Sequence, residues 1–200
     1  PRPPSAASPP PAAAQADGDR PVPLRGATAR IVENMEASLG VPTATSVRTV
    51  PAKLLEVNRQ ILNNHLARTG GAKVSFTHLI SYAVLKALAK VPAMNASFEV
   101  VDGQPNVVRH DHVNLGLAVD VEKSDGTRTL LVPNVKRADT LDFKAFHAGY
   151  EEAIGKVRSG QLSPDDFAGT TGTIPHPVTI VTTQEVPRVK EGQGYIIRVG

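Results

Sequence analysis

Six histidines are the groups best suited to moving protons in this 200-residue chain: His65, His78, His110, His112, His147 and His176. An imidazole titrates near pH ~6.5, so it can take a proton from a weak nucleophile at neutral pH. His110 and His112 flank Asp111, and positions i and i+2 of a strand share one face, as two metal ligands would. No third ligand is indicated, and a structural polar role is the simpler reading of the pair. His65, His78 and His147 fall on predicted helices and read as surface or satisfied core residues. His176 stands between Pro175 and Pro177, which stiffen the backbone and remove two amide donors from any ladder. The chain contains no cysteine, so disulfides, thiolate metal sites and a cysteine nucleophile are excluded.

Residues 1–23 are dominated by Pro, Ala, Ser and Asp, a composition that buries too little apolar surface to offset its ordering entropy. This stretch reads as a semi-rigid linker, partly polyproline II, or as an ordinary disordered terminus. It lacks the charged and apolar regions of a signal peptide, and no apolar run reaches the roughly 20 residues of a bilayer-spanning helix. The expectation is a cytoplasmic protein. At 200 residues with 40% apolar content, the rest is large enough for one domain with its own core. The net charge is only +3 and aromatic residues make up 4%, leaving little material for stacking on bases. Neither nucleic acid nor membrane is an expected partner.

Periodicity predicts a helix over Leu24–Leu39, stopped by Gly40 and Pro42. Val41–Val50 is dense in β-branched residues and reads as a strand. Pro51 opens a helix to about Arg68 with Leu54, Leu55, Ile61, Leu62 and Leu66 on one stripe, closed by Gly70-Gly71. Ser75 is the expected N-cap of the clearest helix, which Pro92 ends. Asp102-Gly103 signals a hairpin between Ser97–Val101 and Asn106–Arg109, with Gln104-Pro105 lengthening the loop. Val113–Val121 and Thr129–Val135 are nearly continuous apolar strands joined through Lys123–Arg128, and such runs are covered on both faces or packed under helices. Phe143, Phe146, Tyr150, Ile154 and Val157 form the inward face of a helix over Leu141–Ser159. A capped short helix at Ser163-Pro164-Asp165-Asp166 and strands at Thr179–Thr183 and Tyr195–Val199 complete the order. The mixture predicts an α+β two-layer sandwich; βαβ alternation and a Gly-rich phosphate loop are both missing.

Four blocks carry a resemblance: LRGATARIVENMEASLGVPTATSV from Leu24, VPAMNASFEVVDGQPNVVRHDHVNLGLAVD from Val91, TLLVPNVKRADTL from Thr129 and KVRSGQLSPDDFAGTT from Lys156. In this order and spacing they resemble the acyltransferase component of 2-oxoacid dehydrogenase complexes, and most of all the succinyltransferase-like domains of multifunctional 2-oxoglutarate decarboxylase/dehydrogenases. The resemblance implies a two-layer sandwich of the chloramphenicol acetyltransferase-like type over residues 24–200, with the family's sequence continuing past Gly200. It implies transfer of a succinyl group from a dihydrolipoyl thioester to coenzyme A within the tricarboxylic acid cycle. The lipoyl group would sit on a partner domain. Thiamine diphosphate and Mg would belong to a decarboxylase module of the full-length protein, and the domain would be a homo-oligomer built on trimers.

The same resemblance assigns roles. In the family a base lies in an Asp-His-Arg-x-x-Asp-Gly motif, and none of the six histidines stands in that context. An oxyanion donor comes from a Gly-Thr-Phe-Thr-Ile-Ser-Asn-type segment, which Gly169-Thr170-Thr171 brings into register with Thr173 at a strand hydroxyl. Pro175 then replaces the next hydroxyl and His176 the usual Asn. Thr173 is the oxyanion candidate, or a threonine kept for strand propensity; His176 is a candidate substitute base. Arg25 matches a basic residue at the start of the family's first helix and is the candidate coenzyme A contact, or a solvated helix-start charge. The alternative to an active enzyme is a catalytically silent scaffold of the same fold, favoured by the altered Pro175-His176-Pro177 segment.

Overall fold

The computed structural model describes residues 22–122, 126, 128–175 and 186–199. Four helices occur among them: α1 (Ala27–Ser38), α2 (Lys53–Thr69), α3 (Phe76–Lys90) and α4 (Phe143–Ser159). The strands are β1 (Ala96–Val101), β2 (Gln104–Arg109), β3 (Leu115–Glu122), β4 (Arg128–Leu131), β5 (Asn134–Val135), β6 (Gly172–Pro175) and β7 (Tyr195–Ile196). β1 and β2 form a separate antiparallel hairpin, while the other five make a sheet ordered β4-β3-β6-β7 with β5 also on β3.

β3 organises the molecule. It pairs antiparallel with β4 and β5 and parallel with β6, so β6 must be reached by a crossover, and α4 supplies it. Leu115, Leu117 and Val119 project to the face where α3 contributes Leu85 and Leu88, α4 contributes Phe146, Tyr150, Ile154 and Val157, and Ile174 joins from β6. Phe146, Tyr150, Leu115 and Leu117 are fully buried, each worth about 1.5–3 kcal/mol of transfer free energy. Helices on one face of a mixed sheet make the expected α+β sandwich.

Local chemistry explains the element ends. Ser75 caps α3 reciprocally: its hydroxyl accepts the His78 amide at 3.2 Å, and its own amide donates to His78 Nδ1 at 3.1 Å. Asp142 caps α4 by accepting the Ala145 amide at 2.7 Å, and Gly70 and Gly160 close α2 and α4 in the left-handed region.

Several local expectations are corrected. Gln104 and Pro105 do not lengthen the hairpin loop, since Val101 pairs with Gln104 and the turn is Asp102-Gly103 alone, both at positive φ. The predicted second strand breaks into β4 and β5 around Val132-Pro133, with Leu117 N donating to the Pro133 carbonyl at 2.8 Å across the break. Residues 42–52 form no ladder with any described residue and are exposed, because β-branched propensity needs a partner strand to act on. The Ser163 helix is a single 3₁₀ turn, Pro164–Phe167. The strand predicted at Thr179–Thr183 lies outside the described residues, as does most of the linker.

Candidate functional site

The segment from Ala168 to Pro175 is held by two asparagines, Asn114 and Asn134. Asn114 Nδ2 donates to the Gly169 carbonyl at 2.8 Å, its Oδ1 accepts the Arg137 amide at 2.8 Å, and its amide donates to Thr171 Oγ1 at 3.2 Å. Asn134 Nδ2 donates to the Ala168 carbonyl at 3.0 Å and to Thr170 Oγ1 at 2.8 Å. These asparagines satisfy the loop's polar groups before β6 takes over, and they fix where β6 starts. Nothing in the sequence marks them, because an isolated Asn in a strand pattern carries no distinguishing signal.

Thr173 lies in β6 opposite Gly116 of β3. Its side chain is buried, and its Oγ1 donates to Gln193 Oε1 at 2.8 Å. Three glycines make the room. A Cβ at Gly116 would meet Thr170, Thr173 and Val132; one at Gly172 would overlap the Tyr195 ring; one at Gly194 would overlap the Ala96 and Met94 backbone. Tyr195 is buried, and its phenol is pushed above the usual range by burial and then by the Asp139 charge. Thr173 is therefore enclosed between β3, β7 and the turn that carries Gln193.

His110 and His112 take the structural role. Asn95 Nδ2 donates to both of their carbonyls at 3.1 Å, and the His112 ring meets Asp139 at 3.2 Å. Burial pushes the Asp139 carboxyl up, but the Val113 amide, donating at 2.8 Å, and His112 outweigh it and hold the pKa below the usual carboxylate value. His65 is exposed on α2, and Arg25 is exposed ahead of α1. His176 lies outside the described residues.

His78 is the satisfied core residue that sequence suggested. Only 2% of it is exposed; its ring packs edge-on against His147 and Tyr150, and its Nε2 lies 3.0 Å from Glu151. Beside it opens a cavity of about 500 Å³ lined by Arg59, Lys73, Arg158 and Glu151 among others. No motif announces this cavity, whose walls come from α2, α3, α4 and the turn between α2 and α3.

A family model described as 2-oxoacid dehydrogenases acyltransferase (catalytic domain) matches residues 16–200. The chain belongs to this family. This acyltransferase domain is 52% identical over 184 residues to the multifunctional 2-oxoglutarate metabolism enzyme of Mycobacterium sp. (strain JLS), covering 92% of the chain and 15% of that relative. A namesake in Mycolicibacterium vanbaalenii is 49% identical over the same length, again with 15% of the relative covered. The chain thus spans about a seventh of the curated relatives it matches. The solved structure of a probable dihydrolipoamide acetyltransferase from Listeria monocytogenes superposes with a TM-score of 0.75 at 25% identity, covering 88% of this chain and 72% of that one. The cubic core of a pyruvate dehydrogenase multienzyme complex gives 0.73 at 27% identity, covering 88% and 69%. The acyltransferase domain therefore has the chloramphenicol acetyltransferase-like fold of these cores, as expected.

Proposed function

We propose that this acyltransferase domain moves a succinyl group from the dihydrolipoyl-lysine of a lipoyl-bearing domain to coenzyme A, in the cytoplasm and in the service of 2-oxoglutarate metabolism. The observation that carries the reading is the 52% identity to an enzyme named for 2-oxoglutarate, spread over 92% of the chain. The relatives' much greater length leaves room for a thiamine-dependent decarboxylase on the same polypeptide. Thiamine diphosphate and Mg are assigned to that module and not to any residue here.

The step balances simply. The coenzyme A thiol loses its proton and its sulfur attacks the thioester carbonyl; the resulting oxyanion collapses and expels dihydrolipoyl sulfur, which takes up a proton. Thr173 is the donor to the oxyanion in this reading, and a positioned hydroxyl acts only if its proton is free. With Gln193 Oε1 facing it, that proton is committed. Turning the Gln193 amide over would present Nε2 as donor to Oγ1 and release the hydroxyl proton. His176 is the candidate base and Arg25 the candidate contact for the anionic end of coenzyme A.

A second reading, a silent scaffold that keeps the fold for assembly, is favoured by one observation: the Thr173 hydroxyl is buried and already bonded. Succinyl transfer from S-succinyldihydrolipoamide to coenzyme A, assayed on the full-length protein, separates the two. The enzyme reading expects Thr173→Val to lower kcat by about 10²-fold. An unchanged kcat removes Thr173 from the mechanism, and no transfer above the uncatalysed rate from intact oligomers supports the scaffold.

A further inference from the structure

Three basic side chains with no acidic partner among the described residues line the cavity beside His78: Arg59 of α2, Lys73 of the α2–α3 turn and Arg158 in the last turn of α4. Arg59 is pre-positioned, its guanidinium carbon 4.1 Å from the centre of the Phe76 ring, and its Nε is buried without a hydrogen-bond partner. The one carboxylate in the lining is Glu151. It is already engaged by His78 Nε2 at 3.0 Å.

Two kinds of ligand compete for this place. Ring nitrogens of His78 and His147 and a Glu151 oxygen lie within 4.8 Å of one another, a set that could hold a divalent cation. The tautomer of His78 argues against it. Its Nδ1 accepts the Ser75 amide, so the ring proton sits on Nε2 and is donated to Glu151. A metal at Nε2 would displace that proton and move it to Nδ1, against the amide that caps α3. It would also sit in a cavity where three positive charges face one negative charge. That surplus of two positive charges matches a dianion, and arginine forks suit the oxygens of a phosphate. A cavity of about 500 Å³ holds much more than a lone phosphate ion, and lies in the range of organic-ligand pockets.

We propose that this cavity binds a small molecule through a phosphate or pyrophosphate group, gripped by Arg59 and Arg158 with Lys73 as a third charge, while Tyr150 and Ile154 line its less polar part. The site shares no residue with the Thr173 segment, and its test reads binding alone, so acyl transfer can fail without touching it. The 200-residue chain is titrated calorimetrically at low ionic strength with pyrophosphate, ADP and ribose 5-phosphate, with succinate as a dicarboxylate control. Saturable binding at one site is expected, weakened about tenfold or more by Arg59→Met and by Arg158→Met. Lys90→Met, at the far end of α3 from the cavity, should leave it unchanged. Arg158 is exposed, so its variant keeps the fold, which a circular dichroism melt verifies. Tighter binding of ADP than of ribose 5-phosphate assigns a nucleotide, and the reverse a sugar phosphate. The proposal is overturned if no phosphate probe saturates by about 1 mM, if succinate binds as tightly, or if Lys90→Met weakens binding equally. Saturable zinc binding that His147→Ala abolishes would also overturn it, and reassign the site to a cation.

Discussion

At the scale of single residues, polar side chains settle this fold at points where apolar packing is indifferent. Asn95 opens the Asn-Ala-Ser step, and it ties the end of β2 to the helix end by donating to two carbonyls. Asp139 does the same for the entry to β3, taking the Val113 amide and the His112 ring. Because the folded pKa of Asp139 is depressed, its contribution is present above the ordinary carboxylate pKa of ~3.9 and is lost as pH falls through the folded value. Asp139→Asn should therefore destabilise the chain by about 1 kcal/mol at pH 7, and the gap from wild type should close in acid. Urea unfolding at pH 7 and pH 3 measures both; a gap of equal size at the two pH values would contradict the assignment. Asn95 and Asp139 had no legible role in the sequence, since their partners are backbone groups brought close by the hairpin and the 3₁₀ turn at Ala138–Thr140.

At the scale of elements, amphipathic helices were the most legible part. The inward face of α4 was readable as apolar spacing, and Phe146, Tyr150, Ile154 and Val157 are buried as that spacing demands. The apolar stripe expected on α3, Phe76, Leu79, Ile80, Ala83, Val84, Ala87, Leu88 and Val91, is not its buried face: Thr77, His78, Ser81, Leu85 and Leu88 turn inward, and Phe76, Ala83, Ala87 and Val91 are exposed. β6 and β7 were less legible, because two short parallel strands gain their definition from neighbours distant in sequence. Their close approach depends on Gly172, over which the Tyr195 ring lies so closely that any Cβ must displace it. Gly172→Ala should cost about 1–3 kcal/mol through overpacking. Combined with Tyr195→Ala, the two losses should sum to less than their separate values by at least about 0.5 kcal/mol. Strict additivity in a denaturant double-mutant cycle would show that the two residues do not press on each other.

At the scale of the whole molecule, the apolar stripes of α1 and α2 are left uncovered by the described residues. α2 has no buried residue, with Leu54 70% and Ile61 61% exposed, and α1 presents Ile31, Val32 and Met35 to solvent, as does Leu39 just after it. Contiguous exposed apolar faces of this kind mark association surfaces. The solved structures with this fold include the core of a multienzyme complex, which supports oligomeric assembly. Leu54→Glu together with Ile61→Glu should shift the protein toward monomers in sedimentation velocity, with its helical circular dichroism retained. Assembly unaffected by both charges would place the interface elsewhere.

Sequence by itself determined the family, the α+β class, the helices α3 and α4 and the central strand β3. Each of these depends on periodicity, capping residues and block order, which are properties of residues near one another in the chain. It also excluded cysteine chemistry outright. Tertiary structure alone decided that the Thr173 hydroxyl is bonded to Gln193, that His110 and His112 serve the backbone, and that Arg59, Lys73 and Arg158 share a cavity. Such facts depend on which distant segments meet, and local pattern holds no record of that meeting. The Val91–Asp120 block shows the division most plainly: its residues are distinctive enough to name a family, and the bonds they make build the scaffold.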